Sequence, residues 1–444
     1  MSFKYQAQKA GPGHYVLEVK LPNGKMSPIH AFLSDELYDA SEEESWKQAV
    51  DAAKMAGVEK VVLTPDLHSG FGVPIGCVIL TKETILPTAA GYDIGCGMVQ
   101  LETTLNANDV ADPVKRRQWI EQVTEKIGVG VGQSSKLQTG IAFGDVVRYG
   151  AQAFGRSAKE LTERNFIPVP TKLPQPVNDR AEAKSDQLGS LGGGNHFTEL
   201  QVEPATGKVW AMIHTGSRGY GWNIADNFFR QGAVERGIPM NQRELAWFDR
   251  DSDLGKAYWA QHNMAANFAI GNRVMIGKAV CDALMDVFGG EAKIFYEISH
   301  NLIQEEGGYL VHRKGATRAF PAGHPALVGT KWELTGHPVL IPGSMRTGSA
   351  ILFAQPGASE SAFSVNHGSG RLMSRGQAKR TLDQTTIDAD MTAADILINT
   401  RNTPIDESGP CYKDLNKVLA TIEEAGLATV AHRLKPVACI KGND

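Results

Sequence analysis

The chain reads as one large α+β domain with elaborations, on three observations. A hairpin-and-helix pattern opens the sequence. From residue 209 on, a series of short apolar segments each end in a polar, Gly-rich loop. No repeat of fixed period and no low-complexity linker divides the chain. With 444 residues, 42% hydrophobic and 21% charged, there is ample material for a core, and wholesale disorder is excluded. A net charge of −4 excludes a protein coated in basic surface, although a local basic groove is compatible with it. The 47 glycines cluster instead of recurring every third position, which excludes collagen and points to tight loops that ligands can approach. No run of eighteen apolar residues exists, so no membrane span is expected. The opening MSFKYQAQKAGPGHYVLEV lacks the apolar run of a signal peptide. Five widely spread cysteines (77, 96, 281, 411, 439) fit a reducing cytoplasm better than a disulfide framework, so a cytoplasmic location is expected.

Taken in order, the first thirty residues alternate apolar and polar around a Pro-Asn-Gly turn at 22–24, which predicts a hairpin. Ser41 to Glu44 has the pattern of a capping box opening a helix to about Ala56, with Gly57 as its stop. VEKVVLTPDLH (58–68) predicts a strand running into a loop. Asp112 caps a predicted helix from Pro113 to Ile127, stopped by Gly128. Residues 133–190 are polar and give no readable element; they are expected to be a variable insertion. VWAMIH, KIFYEISH, HPVLIPGSM and AFSVNHG follow as predicted strands. A helix near 413–424 precedes the last strand, TVAHRLKPVACIKG. Residues 1–60 form the hairpin and helix of a single 1–444 domain, with no convincing internal boundary.

The histidines carry the chemistry. His14, His30, His262, His324, His337 and His432 sit in contexts that need no more than packing or surface roles. His68 (PDLHSGFG), His196 (GGGNHFTEL), His214 (MIHTGSRG), His300 (EISHN) and His367 (VNHGSGR) differ, because each lies at a strand end beside glycine or a loop. One such histidine is usually packing; five are hard to explain that way. GYDIGCGM adds Asp93 and Cys96, an oxygen and a sulfur donor three residues apart in a glycine-rich loop. A lone cysteine is more often a small buried hydrophobe. With the histidines present, a metal site is the better reading, and zinc, manganese and iron all suit the donors. Asp93, Cys96, His196, His214 and His300 exceed the four ligands of a closed tetrahedral site, which fits two ions bridged by Cys96 with positions left for substrate.

Phosphate chemistry is the second theme. NHGSGRLMSRGQAKR carries Arg371, Arg375, Lys379 and Arg380 with no acid, and HRKGATR adds Arg313, Lys314 and Arg318. IPGSMRTGS (341–349) offers amides and hydroxyls after a strand. The chain has no Walker A sequence, HExxH, Cys-x-x-Cys, GxGxxG or KxDG lysine. Histidine is therefore the obvious covalent nucleophile.

PDLHSGFGVPIG, GYDIGCGM, GGGNHFTE, HTGSRG, EISHN, HRKGATRA, IPGSM, VNHGSGR and the terminal IKG, in that order from about Thr64 to Gly442, resemble the RtcB family of RNA-splicing ligases. The resemblance implies an α+β fold of that family, a single large domain with mixed sheets around a deep dimetal active-site cleft. It implies joining of RNA ends bearing a 2′,3′-cyclic phosphate or 3′-phosphate to a 5′-hydroxyl, with GTP and two Mn2+ ions, in RNA repair or tRNA splicing. It would place Asp93, Cys96 and His196 on one manganese, Cys96, His214 and His300 on the other, and the guanylyl group on His367. Guanylate contacts would fall to Asn195, His196, Phe197, Thr198, Glu199, His300, Asn301, Pro342, Gly343, Ser344, Met345, Ser349, His367, Gly368, Ser369, Gly370, Tyr412 and Lys441. Lys314, Arg371 and Arg375 are candidates for phosphate and RNA contacts, with Asp66 and His68 just behind the reacting groups. Archease is the protein partner the family brings with it, and a monomer is the default state.

The sequence departs from the family pattern at Arg346-Thr-Gly after IPGSM, at Ser369 within HGSGR, and at Asn443-Asp444 beyond the IKG ending. It is also shorter through 128–190. Two other readings compete. A dinuclear metallohydrolase acting on phosphodiesters uses the same metal residues but leaves His367, its basic companions and Lys441 without a task. A catalytically silent RNA-binding relative is disfavoured because every nucleophile and ligand position is filled.

Overall fold

The computed structural model describes residues 3–21, 24–137, 140–155, 167–175 and 179–442. Two large sheets organise it. The first runs Gln8–Gly11, His14–Lys20, Met26–Ala31, Val58–His68, Ile75–Thr81, Tyr309–Lys314, Asn301–Glu306. Its pairings are antiparallel except Met26–Ala31 with Val58–His68, where the helices Asp35–Ala40 and Glu43–Ala53 make the crossover that a parallel pair requires. The predicted hairpin is the pair His14–Lys20 and Met26–Ala31; Pro22 and Asn23 of its turn lie outside the described residues.

The second sheet runs Ala292–Ser299, Gly97–Asn106, Lys208–Thr215, Phe197–Val202, Ala428–Lys441, Ser349–Ala354, Pro338–Pro342, and Leu397–Ile398 pairs with Ala428–Lys441. Both of its faces are covered. Val99, Leu101, Ala211, Ile213, Leu200 and Ile440 pack under the helices Pro113–Lys126 and Asp253–Phe288, while Met98, Trp210, Met212, Tyr296 and Cys439 pack on the other side. This is period-two alternation with two apolar faces, hence strands that read as continuous apolar runs.

Several elements differ from expectation. Ser41 does not cap the helix Glu43–Ala53. Its hydroxyl donates to Tyr38 O at 2.6 Å and accepts from the Trp46 indole at 2.8 Å, closing the preceding helix instead. Between residues 133 and 190 there are described elements, among them the helix Phe143–Tyr149; 138–139, 156–166 and 176–178 lie outside the described residues. Two long helices, Arg218–Arg236 and Asp253–Phe288, were not legible in the sequence. The 36-residue helix is buried nearly all round, so no apolar stripe marks it. Among the described residues no helix is long and apolar enough to cross a membrane.

Candidate active site

The antiparallel register places five chemical residues at one end of the second sheet. Gly97 pairs with both Thr215 and Ser299, and Phe197 pairs with both His214 and Lys441. Strand starts and strand ends therefore alternate along that rim in the order His300, Cys96, His214, His196, Lys441. Residues about a hundred positions apart in sequence become neighbours because adjacent strands run in opposite directions.

Their donor atoms converge. Cys96 Sγ lies 3.2 Å from His214 Nε2 and 3.3 Å from His196 Nε2; His214 Nε2 lies 3.3 Å from His300 Nε2, and His196 Nε2 lies 3.1 Å from Asp93 Oδ2. Two groups could each hold a metal ion, Cys96–His214–His300 and Asp93–Cys96–His196, with Cys96 common to both. Burial pushes the Cys96 thiol well up, reinforced by the Asp93 charge, and pushes the His214 and His300 imidazoles well down. Lone pairs so crowded in an apolar setting fit a divalent cation, which would also supply the charge that a thiolate needs.

Tautomers separate the two groups. His214 Nδ1 is 3.2 Å from Asn195 O, so the ring donates there and leaves Nε2 free to ligate. At His196, Arg218 Nη1 lies 2.7 Å from Nδ1. A guanidinium only donates, so the proton of this neutral ring sits on Nε2, facing Asp93. An ion on Nε2 therefore requires that proton to move and Arg218 to leave Nδ1. Although burial pushes the Asp93 carboxyl up, its bond to His196 and the Arg218 charge hold it well below the usual carboxylate range. Gly216 is needed here: a Cβ on it would stand 2.3 Å from Asp93 Oδ1.

Arg273, fully buried on the long helix, ties the rim together. It bonds Glu297 Oε1 at 2.5 Å, Gly95 O at 2.6 Å, Thr215 O at 3.0 Å and Ser299 Oγ at 2.6 Å. One guanidinium thus holds the carbonyls beside Cys96 and His214 and the Ser299 hydroxyl beside His300.

His367 follows Ser364–Asn366, a strand that pairs with Ala316–Arg318 in a separate two-stranded sheet. Its ring centroid is 4.6 Å from that of His300. Asp66, fully buried, accepts from His367 Nδ1 at 2.6 Å and from His367 N at 3.3 Å through Oδ2, and from Thr64 Oγ1 at 2.7 Å through Oδ1. In the neutral ring that carboxylate fixes the proton on Nδ1 and leaves the lone pair on Nε2. His68 Nδ1 meets Asp66 O at 2.8 Å, and burial lowers its pKa to about 4, so it is neutral.

Beside His367 opens a cavity of about 250 Å³. Among the expected guanylate-contacting residues, Asn195, Phe197, Glu199, Pro342, Gly343, Ser344, Met345, Ser349, His367, Gly368, Ser369, Gly370, Tyr412 and Lys441 line it, joined by Arg371 and Arg375. Four do not. Strand alternation turns Thr198 away from the face that Phe197 and Glu199 share. His196 and His300 point into the metal-type cluster. Asn301 gives its amide to Asp93 O at 3.2 Å and accepts from Gly315 N at 2.8 Å. Lys314 does not reach the cavity either: it is buried with Nζ bonded to Phe71 O at 2.6 Å and Val73 O at 3.1 Å, and burial lowers its pKa to about 8. Arg346 turns outward onto Asp390 at 3.0 Å.

Burial pushes the Glu199 pKa up to about 7 on the cavity wall. Opposite lies Glu407, which sequence reading missed. It takes Arg371 at 3.1 Å, Arg375 at 3.3 Å, Lys441 at 3.1 Å and the Tyr412 hydroxyl. Burial pushes its carboxyl up, but Lys441, the Tyr412 bond and the two arginines outweigh it and bring the pKa to about 2.

The profile of the family described as tRNA-splicing ligase RtcB matches residues 48–442. The chain belongs to the RtcB family. It is 31% identical to a tRNA-splicing ligase RtcB of Thermococcus kodakarensis over 94% of this chain and 95% of that protein. It is 32% identical to that of Nanoarchaeum equitans over 96% and 98%. The Methanococcus maripaludis protein of the same name is 30% identical over 96% and 98%. The family match begins sixteen residues before Thr64, taking in most of the helix Glu43–Ala53. Within RtcB motifs, Arg218 of HTGSRG carried a signal that sequence reading left unused; Glu407 and Arg273 belong to none of the quoted motifs.

Proposed function

We propose that this RtcB-family chain is a GTP- and Mn2+-dependent RNA ligase joining 2′,3′-cyclic phosphate or 3′-phosphate ends to 5′-hydroxyl ends, in RNA repair or tRNA splicing. The observation that carries the reading is His367: its Nδ1 is clamped by a buried carboxylate, and its ring stands between a cluster of N, S and O donors and a cavity lined by amides and cations. Two manganese ions, on Asp93–Cys96–His196 and Cys96–His214–His300, would polarise and neutralise the phosphates that react there.

The side chains supply the rest. Lys441, Tyr412, Glu199 and Phe197 form the wall for the guanosine part of GTP, and the 342–345 and 368–370 segments face its phosphate. His367 Nε2 attacks the α-phosphorus; the P–N bond forms as the bond to pyrophosphate breaks. Asp66 holds the Nδ1 proton and stabilises the charge that grows on the ring. A cyclic phosphate is first opened by water to a 3′-phosphate. An oxygen of that phosphate then attacks the guanylyl phosphorus, the P–N bond breaks, and RNA(3′)pp(5′)G results. The 5′-hydroxyl attacks the RNA-side phosphorus, its proton is lost, and GMP leaves. Arg371 and Arg375, already held at the cavity by Glu407, are placed for the transferring phosphates. The proposal includes a monomeric, cytoplasmic enzyme, consistent with the free state of its five cysteines, and archease as a partner that promotes guanylylation.

Intact-protein mass after incubation with GTP and Mn2+ tests it. A guanylate-sized addition on the wild type and none on His367→Ala is expected. No addition on the wild type, with or without archease, would bring the phosphodiester metallohydrolase forward.

A further inference from the structure

Beside the metal-type cluster, two exposed aromatic rings flank a half-buried one, Tyr92, whose hydroxyl accepts from Arg243 Nη2 at 3.3 Å. Phe71 is 66% exposed and Trp222 49% exposed. Tyr92, the residue before Asp93, lies between them: its ring is stacked on Trp222 (5.7 Å, 19°) and meets Phe71 edge-on (6.0 Å, 85°). Trp222 is on the helix Arg218–Arg236; Phe229, seven residues on and so on nearly the same side, is buried edge-on against Tyr92 (4.9 Å, 88°), while the indole at 222 stays half exposed. Contiguous exposed aromatics of this kind mark an interaction site.

The backbone beneath is held unusually firmly for a loop. Phe71 O accepts from Val73 N at 2.8 Å, from Thr88 Oγ1 at 3.1 Å and from the buried Lys314 ammonium at 2.6 Å. A buried lysine is costly, and this one fixes the carbonyl of a residue whose ring faces water. The groove at Phe71, Tyr92 and Lys314 and the His367 cavity both border Ile75, so the two are neighbours.

We propose that Phe71, Tyr92 and Trp222 form a stacking ledge for an unpaired nucleobase of one of the two RNA strands whose ends are joined beside His367. The inference rests on the RNA-ligase reading above and goes beyond it in naming where a base is held. Exposed aromatic rings, two of them already stacked on one another and all next to a phosphate-handling centre, suit single-stranded nucleic acid. Stacking is tolerant of sequence, as an end-joining enzyme acting on varied breaks requires. The ledge also explains Lys314, whose role is to position the Phe71 loop and not to touch phosphate.

The test is fluorescence anisotropy of labelled single strands with the whole protein and Mn2+, without GTP. One strand ends in a 5′-hydroxyl and another in a 3′-phosphate, each with and without the base nearest its end. Trp222→Ala and Phe71→Ala should each weaken one strand by about five- to a hundredfold. They should have little effect on the same strand lacking that base, and Trp222→Phe should restore most of the loss. The strand that responds tells which RNA end the ledge serves. If the wild type binds RNA and neither substitution matters, the ledge is overturned alone, and a protein partner becomes the occupant to test. If the wild type binds neither strand and forms no guanylyl adduct, the ledge falls together with the ligase reading.

Discussion

Replacing Asp66 by asparagine separates the charge of the His367 clamp from its geometry. Two donors of His367, Nδ1–H and the backbone N–H, converge on Oδ2, at 2.6 and 3.3 Å. An asparagine NH2 in that position would face both, so the amide oxygen must take it, and the NH2 turns to Thr64, whose hydroxyl can accept as well as donate. Asp66→Asn therefore keeps the proton on Nδ1 and Nε2 nucleophilic. What it loses is the negative charge: a charge-assisted bond becomes a neutral one, a difference of about 1–2 kcal/mol. Guanylylation should slow by about 5- to 30-fold, with the final adduct level unchanged. Asp66→Ala removes the clamp itself and frees the ring to place its proton on Nε2. Loss of tautomer control in a catalytic triad suggests a drop on the order of 10³-fold or more. The assay is the time course of the guanylyl adduct by intact mass under single-turnover conditions, with metal content measured alongside. Wild-type rates in both variants would refute the clamp. Equal rates in the two variants would refute the argument that two donors fix the amide's orientation.

Other consequences follow from the same geometry. Cys96→Ala removes a donor common to both triads, so bound Mn2+ should fall from two per chain toward none by equilibrium dialysis; an unchanged stoichiometry would refute the bridge. Arg218→Ala frees His196 Nδ1 to carry the proton, and the second ion should bind about tenfold more tightly by Mn2+ titration, corresponding to about 1.4 kcal/mol; equal or weaker binding would show that Arg218 does not compete. Glu407 has a folded pKa depressed to about 2, so its contribution to stability is present above the unfolded value of about 4.3 and is lost as pH falls through about 4 to 2. That contribution is at most about 3 kcal/mol, and denaturant unfolding of Glu407→Gln should show a flatter acid limb than the wild type; parallel limbs would contradict it.

Much of the site was legible because its donors are unusual residues in glycine-rich strand ends. His196, His214, His300 and His367 announce themselves by context, as do Asp93 and Cys96. What the sequence does not carry is partnership over distance. Glu407 is one acid among 49 acidic residues until folding brings Arg371, Arg375, Tyr412 and Lys441 onto it. Lys314, in a basic run, is indistinguishable from a phosphate-binding lysine until its carbonyl partners are seen. The fold followed the same rule. The strand at 58–68, the helix from Pro113 and the last helix and strand have local signals of period and capping. The helix Asp253–Phe288 is capped, by Ser252 accepting from Gly255 N at 3.0 Å and by the left-handed Gly289, but has no apolar period, because Asn263, Asn267, Asn272 and Arg273 are buried as deeply as its alanines. Asn272 shows why: it donates to Ser190 O at 3.0 Å and Gly216 O at 3.1 Å and accepts from Gly189 N at 2.6 Å. A polar residue holding loop backbone breaks the apolar pattern that would have revealed the helix.

The relation between the two sheets bears on how nucleophile and donors keep their spacing. The chain leaves the second sheet at Ser299 and enters the first at Asn301, so His300 is the single residue between them. Its amide donates to Cys96 O at 2.7 Å and its carbonyl accepts from Ala316 N at 3.2 Å. Ala316 in turn opens the strand that pairs with Ser364–Asn366, the segment that delivers His367. The donor cluster and the nucleophile are therefore connected through His300 by a short path of backbone hydrogen bonds, with no flexible loop in the register. Groups that must act on one phosphorus tolerate little drift, since a displacement of about 1 Å can cost a hundredfold in rate. Antiparallel strand ends supply the donors, and the crossing point at His300 fixes the distance from those donors to the residue they serve.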